Sequence, residues 1–146
     1  AEQKAVDVAK EMPEGTVILG SDTVVAADGK ILGKPKSHEE AYEMIRRLAG
    51  RSHQVYTGVC LVKKGPEGEA DTVVSFYDET DVNVSPMTEK EIREYADSEE
   101  PMDKAGSYAV QGFFARYIDG LKGSYANVMG LPVHLVYQEL KKLGAL

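Results

Sequence analysis

Apolar residues recur at helical spacing in the first dozen positions. Ala5, Val8, Ala9 and Met12 fall at i, i+3, i+4 and i+7, and Pro13 and Gly15 then end the stripe. No Ser, Thr, Asp or Asn precedes this run to cap it, so we expect a helix whose beginning lies outside the sequence. Residues 16–20 form a short continuous apolar run that reads as a buried strand. Ser21-Asp22-Thr23 interrupts it, residues 24–27 resume it, and Asp28-Gly29 signals a hairpin turn into Lys30-Ile31-Leu32. Ser37 and Glu40 are spaced as a capping box. The helix they open turns Ala41, Met44, Ile45 and Leu48 inward, carries Arg46 and Arg47 in its last turn and ends at Gly50.

The second half alternates in the same way. Residues 55–62 are rich in β-formers, and Val74, Phe76, Thr80, Val82 and Val84 share one parity, so the turn at residues 65–68 joins two antiparallel strands. Thr88 and Glu91 make a second capping box, with Ile92 and Tyr95 on the inner side of its helix. A glycine- and aromatic-rich stretch follows at 106–115, then strand at Tyr117 and Ile118, a loop at 123–127 and a last helix that Pro132 begins. This order predicts an α/β or α+β fold, a mixed sheet with flanking helices.

With 146 residues the chain has the length of one domain, taken here as 1–146. Seventeen Lys and Arg against 24 Asp and Glu give a net charge of −7. That balance excludes the broad basic face of a nucleic-acid binder and opposes docking on an anionic membrane. The single cysteine, Cys60, permits no internal disulfide, and with three scattered histidines it makes no closed zinc site. No apolar run reaches the ~20 residues of a membrane span, and no signal peptide is present, so a cytoplasmic location is expected.

Three features carry candidate chemistry. Asp22 directly follows an apolar run, and a carboxylate at a strand end can hold a hard cation such as Mg²⁺ or take a proton from water. The bland alternative is an Asx turn. Lys34 lies between Gly33 and Pro35 on a stiff stretch where an ammonium can neutralise phosphate; alone, it would read as a solvated surface lysine. Around Asp103-Lys104-Ala105-Gly106 and Gln111-Gly112, exposed backbone amides suit an anion and the Gln111 amide suits a base edge, against a reading as plain loop. His38, His53 and His134 have no ligand spacing, Cys60 reads as core, and neither a P-loop nor a GxGxxG fingerprint occurs.

Taken in order, residues 20–25 (GSDTVV), 32–35 (LGKP), 46–59 (RRLAGRSHQVYTGV), 100–112 (EPMDKAGSYAVQG) and 123–132 (GSYANVMGLP) resemble the Maf family of nucleoside triphosphate pyrophosphatases. The resemblance implies an α/β fold akin to the inosine-triphosphate pyrophosphatases, with a cleft between two lobes. It implies metal-dependent hydrolysis of a nucleoside triphosphate to the monophosphate and pyrophosphate. Asp22 would be the catalytic or metal-binding acid, with Mg²⁺ or Mn²⁺ as the cation. Lys4, Lys34 and Gln111 would bind substrate. Residues 103–108 look like the subgroup acting on dTTP and UTP. Family members begin with a strand and a Ser-x-Arg-Arg loop, which this sequence lacks. We therefore expect an N-terminally truncated domain with an exposed sheet edge or a homodimer. The alternative is a nucleotide-binding regulatory module linked to septum formation, without turnover.

Overall fold

A computed structural model describes all 146 residues, Ala1–Leu146. Strands β1 (Val17–Ala27), β2 (Lys30–Leu32), β3 (Ser52–Lys63), β4 (Thr72–Val84) and β5 (Ile118–Lys122) form one sheet in the order β2-β1-β3-β4-β5. The α/β class with flanking helices holds, but the sheet expected to be mixed is antiparallel at every neighbouring pair. The reason lies in the first crossover. β2 and β3 run the same way and are joined by helix α2 (His38–Leu48), yet β1 lies between them, so no parallel pair is in contact.

The two faces of the sheet are covered unequally. On one, helix α1 (Glu2–Ala9) lays Ala5 and Ala9 against Cys60 and Val62. These two alanines are the only fully buried residues of the helix, with Val6 half-buried beside them, so the helix sits close to the strands. The wider stripe expected from the spacing is not buried: Val8 is 46% exposed and Met12 38%.

On the opposite face two groups pack side by side. In the first, α2, helix α3 (Glu89–Ala96) and the 3₁₀ segments Glu100–Asp103, Ala105–Ser107 and Phe113–Tyr117 cover Val25, Val55, Val82 and Val84. Phe114 is fully buried there, with ring centroids of Tyr95, Tyr108 and Tyr117 at 5.0, 4.8 and 5.5 Å. In the second, helix α5 (Val133–Lys142) covers Val59 and Leu61 through Val136 and Leu140. Helix α4 (Tyr125–Met129) stands between the groups. Asn127 pins it to the sheet by donating from Nδ2 to the Val55 carbonyl at 3.1 Å and to Thr80 Oγ1 at 2.9 Å.

The capping predictions hold in different degrees. Thr88 and Glu91 make both bonds of the reciprocal box, at 3.1 and 2.9 Å. Ser37 accepts from the Glu40 amide at 3.0 Å, but the Glu40 side chain does not return the bond. Such a cap stabilises a helix by ~1 kcal/mol.

β1 departs from the sequence reading in two ways. It runs unbroken through Ser21-Asp22-Thr23, so Asp22 sits in mid-strand rather than at a strand end. Its apolar first half is also not buried, since Leu19 is 41% exposed. β2 pairs only with residues 25–27, which leaves the outer edge of residues 17–24 without a partner strand. No helix is long and apolar enough to cross a membrane.

Candidate active site

Alternation along β1 sorts its side chains onto two faces. Gly20 faces α1: a Cβ there would lie 2.9 Å from the Ala1 carbonyl oxygen and 3.3 Å from the Ala5 Cβ. Only glycine lets the helix start this close. Asp22 shares the parity of Gly20 and so stands on the α1 side. It is exposed and has neither a hydrogen bond nor an ion pair within the chain, which removes the Asx-turn reading. Its cross-strand partner is Gly58, where a Cβ would meet nothing within 4 Å, so the sheet beside the carboxylate is open. Lys4 precedes Ala5 on α1, is exposed and has no partner, and belongs to the same side.

Thr23 points the other way. Its hydroxyl shares a 2.9 Å hydrogen bond with that of Thr57, and Thr57 in turn donates to the Asn127 carbonyl at 3.1 Å. Here the stretch from Asp103 to Gln111 and helix α4 part and leave a cleft of about 190 Å³. Thr23, Val25 and Val55 form its floor. Asp103, Lys104, Tyr108 and Gln111 stand on one wall, Val128 to Gly130 on the other. A cleft between two lobes was expected; this one lies on a single face of the one sheet. Its volume lies below the ~300–1,000 Å³ of a pocket that encloses a whole drug-sized ligand. It suits a flat ring, with the rest of a larger ligand lying outside.

The wall is held by backbone geometry. Gly106 and Ser107 adopt left-handed φ values of 70° and 69°, which turns the chain sharply from Lys104 to Tyr108. A side chain at Gly106 would strike Val25 at 2.8 Å. The Gly106 amide donates to the Gly33 carbonyl at 3.1 Å, tying the Gly33-Lys34-Pro35 stretch to this wall. Lys104 donates to the Asp103 carboxylate at 2.7 Å. That bond, then the Lys104 charge and more distantly that of Lys34, holds the Asp103 carboxyl below its ordinary range.

The structure thus sorts the four candidates onto two sides of β1, with no direct contact among them. Asp22 and Lys4 share the α1 side of β1, while Lys34 and Gln111 belong to the cleft side. Between them runs the unpaired edge of β1, and Asp22 and Thr23 are adjacent across it.

Sequence reasoning missed two groups beside the cleft. His53 is 1% exposed, and its Nε2 shares a 2.6 Å hydrogen bond with the Tyr108 hydroxyl. Its Nδ1 has no partner. Burial lowers its pKa from 6.5 to about 4, so the ring is neutral at physiological pH. The position of His53 on the inward parity of β3 was the available signal, because Val55, Thr57 and Val59 share it. Glu100 accepts from two backbone amides and a tyrosine hydroxyl; no spacing in the sequence marks it.

The Maf-like protein family model matches residues 1–143, and the chain belongs to the Maf family. A protein of Agathobacter rectalis named dTTP/UTP pyrophosphatase is 51% identical over 90% of this chain and 64% of its own length. Proteins of the same name from Carboxydothermus hydrogenoformans and Lachnoclostridium phytofermentans are 49% and 47% identical. They match over 97% and 99% of this chain, and 74% and 73% of their own lengths. The chain therefore spans roughly two thirds to three quarters of these relatives.

Proposed function

We propose that this chain carries the substrate-handling part of a nucleoside triphosphate pyrophosphatase that takes dTTP and UTP to the monophosphate and pyrophosphate. The observation that carries the reading is the unpaired, exposed carboxylate of Asp22. It stands on an open sheet face one residue from the cleft floor. The names of the family relatives supply the reaction and the pyrimidine preference.

The base enters the cleft, where the Gln111 amide offers both a donor and an acceptor to its edge. The triphosphate runs out past the edge of β1. Lys34 on one side and Lys4 on the other neutralise its oxygens, more effectively as negative charge shifts to the leaving pyrophosphate. Asp22 lies beside the reacting end and can take the proton of an attacking water.

The donor set also fits a hard divalent cation. No cluster of three His, Cys, Asp or Glu side chains exists to cage a metal, and a single free carboxylate plus phosphate oxygens is the way Mg²⁺ is commonly held. Asp22 would hold Mg²⁺ or Mn²⁺, which when bound supplies charge neutralisation and a polarised phosphoryl group.

The test is pyrophosphate release from dTTP, UTP, CTP and GTP, with and without Mg²⁺ or Mn²⁺. Release from dTTP and UTP that requires the cation supports the reading. Binding of these nucleotides without release would favour the nucleotide-binding module instead.

A further inference from the structure

We propose that Glu100 is a positioning residue that sets Gln111 for base recognition. The inference rests on the reading that Gln111 meets the base. Glu100 opens the 3₁₀ segment Glu100–Asp103, on the far side of the cleft wall from the substrate. Its carboxylate accepts the Phe113 amide at 2.8 Å, the Phe114 amide at 3.3 Å and the Tyr95 hydroxyl at 2.6 Å. One ionised group therefore takes three donors, and bonds to a charged acceptor are about twice as strong as neutral ones. Burial and the bond to Glu100 raise the pKa of Tyr95, so its hydroxyl stays a donor.

The geometry of Gly112 makes the clamp bear on Gln111. A Cβ on Gly112 would lie 2.6 Å from the Glu100 carboxyl carbon, so the chain presses directly onto the carboxylate there. Gly112 is the only residue between Gln111 and the first clamped amide. Gly112 donates to the Ala109 carbonyl and accepts from the Ala115 amide, both at 3.1 Å, and the Glu100 bonds hold the chain immediately beyond it, so their loss would loosen the backbone from which the exposed Gln111 side chain extends. The other end of the segment reaches the cleft as well, since Asp103 and Lys104 line it. A single carboxylate thus joins the two stretches that build one wall.

A merely structural carboxylate would weaken catalysis on every nucleotide alike. A positioning residue changes discrimination between bases. The experiment measures kcat and KM for UTP, dTTP and GTP in the protein as the cell makes it, in Glu100→Gln, in Gln111→Ala and in the double variant. Amide hydrogen exchange at Phe113 and Phe114 is followed in each. In Glu100→Gln, KM for UTP and dTTP should rise about tenfold, with kcat within about twofold and preference over GTP falling in step. The double variant should be no worse than Gln111→Ala alone, because both changes remove one function. Exchange at the two amides should quicken.

Equal losses on UTP and GTP, additive effects in the double variant, or unchanged amide exchange would overturn the proposal. A wild type that prefers no base overturns the reading of Gln111 and the proposal with it. Preference retained in Glu100→Gln overturns the proposal alone. Should Glu100→Gln not fold, Tyr95→Phe removes one donor and keeps both amide bonds. It should shift KM in the same direction by a smaller factor, and selectivity unchanged in that variant counts against the clamp.

Discussion

The two sides of β1 at Asp22 and Thr23 are built to different standards. On the cleft side, the framework is committed, although the Gln111 and Lys34 side chains are exposed and unbonded. Thr23 is bonded to Thr57, Thr57 to the Asn127 carbonyl, Gly106 to Gly33, and the wall after Gln111 to Glu100. On the α1 side, Asp22 and Lys4 have no partner, and the sheet beside Asp22 lies open at Gly58. A surface that must read the shape of a base gains from rigidity, because a misplaced amide loses discrimination. A charge that must meet a hydrated, flexible phosphate chain gains from having no internal partner to give up.

The contrast can be broken at several points. The largest effect is expected at Asp22. Asp22→Asn should lower turnover by about 100-fold or more, as loss of a general acid–base group does, while thermal unfolding stays unchanged because the exposed side chain makes no hydrogen bond or ion pair within the chain. A parallel fall in melting temperature would mean that the carboxylate supports the fold. On the committed side, Phe114→Ala should cost about 3–5 kcal/mol in chemical denaturation, since it empties the centre of the aromatic cluster.

His53 offers a pH handle on that same side. Unfolded, its ring titrates near 6.5; folded, near 4. Between those values the unfolded chain binds more protons. The stability is therefore fully present above pH 6.5, declines as pH falls toward 4, and loses nothing further from this group below that. The total is about 3 kcal/mol, read as a slope in denaturation midpoints that His53→Gln should flatten. A smaller effect is expected from Lys34→Ala. KM for UTP should rise about tenfold while binding of uridine, which has no phosphate, is unmoved. Equal losses for both ligands would place Lys34 at the base instead. Smallest of all, Val8→Ser on the exposed side of α1 should change stability by no more than about 0.5 kcal/mol.

The strength of local signals decided what was legible in the sequence. The helices at 37–50 and 88–96 were plain, because their caps and their inward residues agree. The β3–β4 pair was plain too, since a single parity on each strand carries Val55 and Val59, and Val82 and Val84, into the core. The strand run at 16–20 misled because hydrophobicity records a need for cover, and the neighbouring strand β2 is too short to provide it. The stripe of α1 misled for a related reason, as two alanines suffice where the helix lies against Gly20. Asp22 was found by its place in a run of apolar residues, and Lys34 by its glycine and proline neighbours. Which sides of the sheet they occupy depends on register across three strands, which no local pattern encodes. Glu100 was invisible for the same reason, because its partners Phe113 and Phe114 are backbone amides and carry no residue signature.

The bare margin of β1 has a practical consequence. Along residues 17–24, backbone donors and acceptors face outward amid Val17, Ile18 and Leu19, and no proline or lysine blunts that stretch. Such a margin is a template onto which any extended peptide can zip. Prepared by itself, this polypeptide should grow stickier with concentration. Its solubility should then be set by eight or so residues rather than by its net negative charge.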